Sequence, residues 1–79
     1  MKIFHATHIG TRYVGFPDMA QAFVVNARDE QEARRLASEQ AGDETAEFWL
    51  APSRTRFDVI GTTARGQNAA VVVRDFQCG

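Results

Sequence analysis

Cysteine and long apolar runs are both scarce in this sequence of 79 residues. The single cysteine, Cys78, cannot form an internal disulfide, whereas small secreted domains usually contain several. The longest apolar runs, such as residues 69–73, are much shorter than the roughly 20 residues that span a bilayer. No apolar region of the signal-peptide kind follows Lys2. We therefore expect a cytoplasmic protein that does not enter a membrane.

Motifs of nucleotide binding, metal binding and nucleophilic catalysis are absent as well. Gly10 and Gly15 do not continue into a P-loop or a dinucleotide-binding fingerprint. His5 and His8 are separated by an odd number of positions in a strand-like run, so their rings point to opposite faces, which argues against a shared metal ion. No serine, threonine or cysteine stands beside a base in a recognisable catalytic arrangement. These absences favour a protein that is not an enzyme and that needs no metal or cofactor.

The composition is typical of one folded domain covering residues 1–79. Apolar residues make up 44% of the chain and aromatic residues 10%, which is a globular composition. A chain of this length buries only one modest core, because small domains have a high ratio of surface to volume. A second domain is therefore not expected.

A helix in the middle of the chain has the clearest local pattern. Asp29 is a suitable N-cap and Glu32 follows three positions later, which is the spacing of a capping box. Small and apolar side chains then recur on one stripe, and Gly42 is placed to end the helix. The stripe consists of Ala33, Leu36, Ala37 and Ala41.

Strand patterns flank this helix, two before it and three after it. The first two strands are predicted at residues 2–8 and 20–27, and the other three at residues 46–51, 55–63 and 68–76. The element order is therefore ββαβββ. It predicts an α+β fold in which a single antiparallel sheet of about five strands carries one helix packed on one face.

The predicted sheet has apolar residues on both faces, but one alanine-rich helix covers only part of one face. Strict alternation along the strands places Trp49, Val72 and Phe76 on the face away from the helix. Either residues 10–19 fold across this face and complete a monomeric core, or the face is a docking surface or a homodimer interface. In the second case these three residues would mediate self-association, and Cys78 would cross-link two copies under oxidising conditions.

Acidic side chains are concentrated around the helix. Helix capping and solubility explain part of this concentration. The alternative is that these acids present a phosphate-like field to a basic groove on another protein. The candidate partner-binding residues are Glu30, Glu32, Glu39, Asp43 and Glu44, with Asp29 beside them.

Four arginines follow the helix, at Arg54, Arg56, Arg65 and Arg74. A basic stripe of this kind occurs in proteins that bind single-stranded nucleic acid. The sequence pI near 6.0 and the lack of any RNA-binding motif favour ordinary solvated surface residues instead. Direct binding of nucleic acid is therefore not expected.

The layout of the whole chain resembles a class of phage-encoded proteins. A strand ending in VVNA, a helix with the sequence DEQEARRLASEQAG and the returning strands are similar to small anti-CRISPR proteins that act on type I surveillance complexes (Cascade). The resemblance implies a non-enzymatic inhibitor that works in the cytosol of a host bacterium, binds the surveillance complex and blocks its engagement of target DNA. It implies no particular functional residues.

Two functions are open at this point. The first is the protein-binding inhibitor, and the second is a homodimeric structural or regulatory interaction module of a phage or bacterium. Changing Glu30, Glu32 and Glu39 to lysine should abolish an inhibitor that acts through the acidic helix and leave a dimer intact.

Overall fold

A computed structural model describes residues 1–9, 19–42, 44–64 and 67–77. These residues form one four-stranded antiparallel sheet with strand order β3-β1-β2-β4 and two helices. No helix among them is both long and apolar enough to cross a membrane. In chain order the elements are β1 (Lys2–His8), β2 (Met19–Ala27), α1 (Glu30–Ser38), α2 (Ala46–Leu50), β3 (Thr55–Thr62) and β4 (Ala70–Gln77).

The α+β class and the antiparallel sheet are confirmed, but the predicted five strands and single helix are wrong for the described residues. The expected strand at residues 46–51 is the short helix α2, so the order is ββααββ rather than ββαβββ. In a strand, Phe48 and Trp49 would point to opposite faces. In the helix both side chains are buried, while Leu50 is exposed. Burial of two neighbouring aromatic side chains therefore outweighs the strand propensity of the segment.

The start of α1 follows the predicted capping pattern. The side chain of Asp29 accepts a hydrogen bond from the Glu32 backbone N–H at 2.8 Å. The Glu32 carboxylate reaches back to the backbone N–H of Arg28 at 2.9 Å, one residue before the usual capping-box partner. Two N–H groups at the helix entrance are therefore satisfied by side chains.

The end of α1 differs from the prediction, because the helix stops at Ser38 and not at Gly42. The Ser38 hydroxyl donates to the Arg35 carbonyl at 2.7 Å, and the Gln40 N–H donates to the Ala37 carbonyl at 3.0 Å. These bonds occupy carbonyls of the last turn and close the helix with a tight turn. The predicted stripe is confirmed in part, since Ala33 and Ala37 are fully buried and Leu36 packs against the core, but Ala41 lies beyond the end of α1.

One side of the sheet, here called the helix face, packs against α1 and α2. Trp49 of α2 lies at the centre of this layer and is fully buried. Its ring makes edge contacts with Phe23, Phe48 and Phe57, at centroid distances of 4.9, 5.4 and 6.3 Å. Edge-to-face pairs of this kind add to the stabilisation from buried area. The small residues of α1 allow it to approach the sheet closely, and α2 provides the bulk.

A buried arginine joins α1, α2 and β3. Arg34 donates to the Trp49 carbonyl at 3.2 Å, to the Thr55 hydroxyl at 2.8 Å and to the Thr55 carbonyl at 3.2 Å. Its guanidinium also pairs with Glu30 at 2.9 Å and lies 4.6 Å from the centre of the Phe57 ring. These partners offset the cost of burying the charge.

Candidate interaction surface

The open face is the side of the sheet opposite the two helices. Residues directly opposite each other in antiparallel strands point to the same side, so the pairing register identifies the members of this face. They are Ile3, His5 and Thr7 of β1, Ala22, Val24 and Asn26 of β2, Arg56, Asp58 and Gly61 of β3, and Ala70, Val72, Val73 and Asp75 of β4.

A bulge in β4 places two neighbouring valines on the open face. Val25 pairs with Val71 and Val24 pairs with Val73, so Val72 is an extra residue in the ladder. Val72 is 57% exposed and Val73 is 53% exposed. Strict alternation had predicted that only Val72 would lie on the face away from the helix. The bulge corrects this prediction, because a one-residue insertion breaks the period of two.

A shallow groove lies at one end of the open face. Its floor is made of the aliphatic side chains of Ile3, Val24 and Val72, and its volume is about 360 Å³. Uncharged residues form the remaining wall, namely Asn26, Thr62, Thr63, Ala64 and Gln67. A groove with an apolar floor and a neutral polar rim suits an uncharged side chain of a protein partner.

Glu30 and Glu32 of α1 and the C-cap residue Glu39 are each paired with an arginine. The shortest distances are 2.9 Å for Arg34 with Glu30, 2.8 Å for Arg28 with Glu32 and 3.0 Å for Arg35 with Glu39. Each pair has i,i+4 spacing, the usual geometry of ion pairs on one helix surface. The paired arginines neutralise much of the acidic field that the sequence suggested for Glu30, Glu32 and Glu39.

The pair at the helix entrance also shifts two pKa values. Hydrogen bonds from the Arg28 side chain and backbone hold the pKa of Glu32 below its ordinary value. The same carboxylate raises the pKa of Arg28. The interaction therefore favours the ionised form of both groups.

Glu44 is a core residue and not part of an acidic surface, which corrects its assignment as a partner-binding residue. It is buried, and its carboxylate accepts hydrogen bonds from the backbone N–H groups of Ala20 and Gly42 at 3.1 and 2.7 Å. It also accepts from the indole N–H of Trp49 at 2.6 Å. Glu44 thus ties β2 to α2 and to the turn between the helices. The other predicted acid in this turn, Asp43, lies outside the described residues.

The four predicted self-association residues have different positions. Trp49 is buried in the helix-face core, so its placement on the uncovered face is wrong. Val72 is exposed on the open face, as predicted. Phe76 belongs to β4 and pairs with Ala20, but its side chain lies outside the described part of the structure, as does Cys78. The predicted cover formed by residues 10–19 also falls outside the described residues, apart from the strand position of Met19.

The two histidines lie on opposite faces, as the sequence predicted. His5 is on the open face, whereas His8 contacts the rings of Phe48 and Trp49 at centroid distances of 4.9 and 5.6 Å. Within the described ranges, no three His, Cys, Asp or Glu side chains are grouped closely enough to hold a metal ion.

Val24, Val73 and Asp75 of the open face were not singled out from the sequence. A valine-rich strand beginning after a turn was visible in the sequence, but the bulge that presents two valines together depends on pairing with β2.

Comparison of the chain with protein-family models, curated proteins and solved structures found no match.

Proposed function

We propose that this protein acts by binding another protein through the open face of its sheet, without catalysing a reaction. The observation that supports the proposal is the pair Val72 and Val73, which are adjacent, more than half exposed and joined to Ile3 and Val24 in one apolar area. Contiguous exposed apolar surface with a polar rim is characteristic of protein contact sites.

The charges of the molecule favour this face over the acidic side of α1. Glu30, Glu32 and Glu39 are already paired with arginines in or beside α1, and Glu44 is internal. Breaking existing ion pairs to bind a basic groove would offset part of the attraction gained. The open face requires no such rearrangement of its valines.

A photo-cross-linking experiment tests the face directly. A photo-reactive phenylalanine derivative is placed at position 73 and, as a control, at position 59. Val59 has the same exposed fraction of 53%, but it pairs with the buried Phe4 and so belongs to the helix face. We expect a cross-linked protein product from position 73 and not from position 59. No product from position 73, or equal products from both positions, would contradict the proposal.

The resemblance to anti-CRISPR proteins adds a specific partner to the proposal, a type I surveillance complex. The support is the overall chain layout, and the open face is the surface that would make the contact. Target-DNA binding by a purified complex is measured with increasing wild-type protein, with Val73→Asp and with Val59→Asp. Inhibition by the wild type and by Val59→Asp, but not by Val73→Asp, is the expected result. Undiminished DNA binding at all wild-type concentrations would contradict the inhibitor function. The open face as a protein contact surface would then be tested by the cross-linking experiment alone.

A further inference from the structure

Opposite charges stand at the two edges of one row of the open face. The pairing register connects Arg56 to Thr7, Thr7 to Ala22, and Ala22 to Asp75. The row therefore runs across all four strands from a cation on β3 to an anion on β4. Between them lie two small residues, which permit close approach of another surface.

A two-fold rotation makes this row complementary to itself. If the axis lies between two stacked sheets and runs along the strands, β3 of one copy faces β4 of the other. Arg56 of each copy then faces Asp75 of the other, and Thr7 faces Ala22. An axis running across the strands at the level of this row would instead stack Arg56 on Arg56 and Asp75 on Asp75. For a dimer centred on this row, the charge pattern therefore favours the first arrangement.

The residues beside this row fit the same rotation. Val24 lies on one of the two middle strands and would approach His5 of the second copy. At the edge of the open face, the bulge in β4 adds Val72, which is 57% exposed and would approach β3 of the second copy. Arg56 is already paired with Asp58 at 2.9 Å on the same edge, so in the dimer its guanidinium would bridge Asp58 and Asp75 of the second copy without breaking the existing pair.

The size of the face is sufficient for a weak dimer. Four strands of seven to nine residues, with a rise of about 3.3 Å per residue and a spacing of about 4.8 Å, cover about 25 by 19 Å. If each face is treated as flat, the two copies together would bury roughly 1,000 Å² of surface. This area is near the lower limit for a specific interface. An interface of this size predicts concentration-dependent association and not an obligate dimer.

We propose that the partner of the open face is a second copy of this chain, packed face to face about a two-fold axis along the strands, with Arg56 of each copy paired to Asp75 of the other. This inference rests on the proposed function, because it names a second copy as the occupant of the same surface in the isolated protein, and the dimer would dissociate before that surface contacts a surveillance complex.

Charge-reversal variants provide the test. In a dimer of Arg56→Asp, each new aspartate faces Asp75, and in a dimer of Asp75→Arg, each new arginine faces Arg56. Both variants should therefore associate about tenfold more weakly than the wild type, since two attractive pairs become repulsive. An equal mixture of the two variants should recover dimerisation, because a mixed dimer contains only attractive pairs. Lys2→Asp is the control, since Lys2 is exposed and pairs with Ala27 of the helix face.

Sedimentation equilibrium from about 10 μM to about 1 mM protein covers the affinities expected of an interface of this area. Weak association of each variant alone, with recovery in the mixture and a normal Lys2→Asp control, would support the inference. Undiminished association of the single variants, or no recovery in the mixture, would overturn it. A strictly monomeric wild type would overturn it too, but a cross-linked product with a different protein from position 73 would leave the proposed function standing.

Discussion

The two faces of the sheet differ in which side chains are buried: the helix face buries charged groups, and the open face exposes apolar ones. On the helix face, Arg34 and Glu44 are buried and hydrogen-bonded to neighbouring elements, while Trp49 fills the centre. On the open face, Val72 and Val73 are exposed and the charges lie at the edges. The first arrangement stabilises one chain, and the second is suited to contact with another. Substitutions on the two faces should therefore affect different measurements.

The largest effect on stability is expected from Trp49→Ala. The change removes the central ring of the core and the hydrogen bond to Glu44. We expect a loss of about 4 kcal/mol in the free energy of unfolding, measured by urea denaturation. Leu50→Ala, at the next residue and 46% exposed, is the control and should cost less than about 1 kcal/mol. Equal effects of the two substitutions would show that α2 does not pack as described.

A smaller loss is expected from Arg34→Met. Methionine keeps much of the apolar stem but removes the guanidinium donor to the carbonyls of Trp49 and Thr55 and to the Thr55 hydroxyl. We expect a destabilisation of about 3 kcal/mol, because a buried network loses its central member.

The matched control for this variant is Arg35→Met on the same helix. Arg35 is exposed and forms an ion pair with the exposed Glu39, so its loss should cost less than about 0.5 kcal/mol. A similar cost at both positions would contradict the distinction between a buried network and a surface pair.

The smallest effect is expected from Glu32→Gln, which should change how the stability of the fold depends on pH. Its pKa is lower in the folded chain than in the unfolded chain, so the folded state favours the ionised carboxylate. This contribution is present above the ordinary glutamate pKa of about 4.3 and is lost as the pH falls through the folded pKa. The wild type should thus be slightly more stable than Glu32→Gln at neutral pH, and the difference should shrink in acid. Thermal unfolding of both proteins as a function of pH measures it, and a difference that grows in acid would contradict the assigned sign.

Local sequence patterns predicted the elements that depend on local signals. Asp29 and Glu32 located the start of α1, and alternating or continuous apolar residues located β1 and β2. The helix α2 was missed because five residues are too few to show a helical period. Its identity depends on burying Phe48 and Trp49 together.

The candidate surface could be predicted only in part. A second apolar face, covered either by residues 10–19 or by a partner, was expected, and Val72 was placed on it correctly. The bulges in β3 and β4 could not be foreseen, because they arise from pairing between strands that are distant in sequence. The burial of Glu44 likewise depends on partners from β2 and α2 that no local pattern reveals. The same limitation explains why Asp75 was overlooked, since its relation to Arg56 appears only in the register.

The most direct test of the open face as a contact surface is the association state of Val73→Asp beside Val59→Asp. Both residues are valines with an exposed fraction of 53%, one on each face of the sheet. Light scattering at increasing protein concentration should show dimerisation of the wild type and of Val59→Asp, and a monomer for Val73→Asp. Undisturbed dimerisation of Val73→Asp, or equal loss in both variants, would contradict the account.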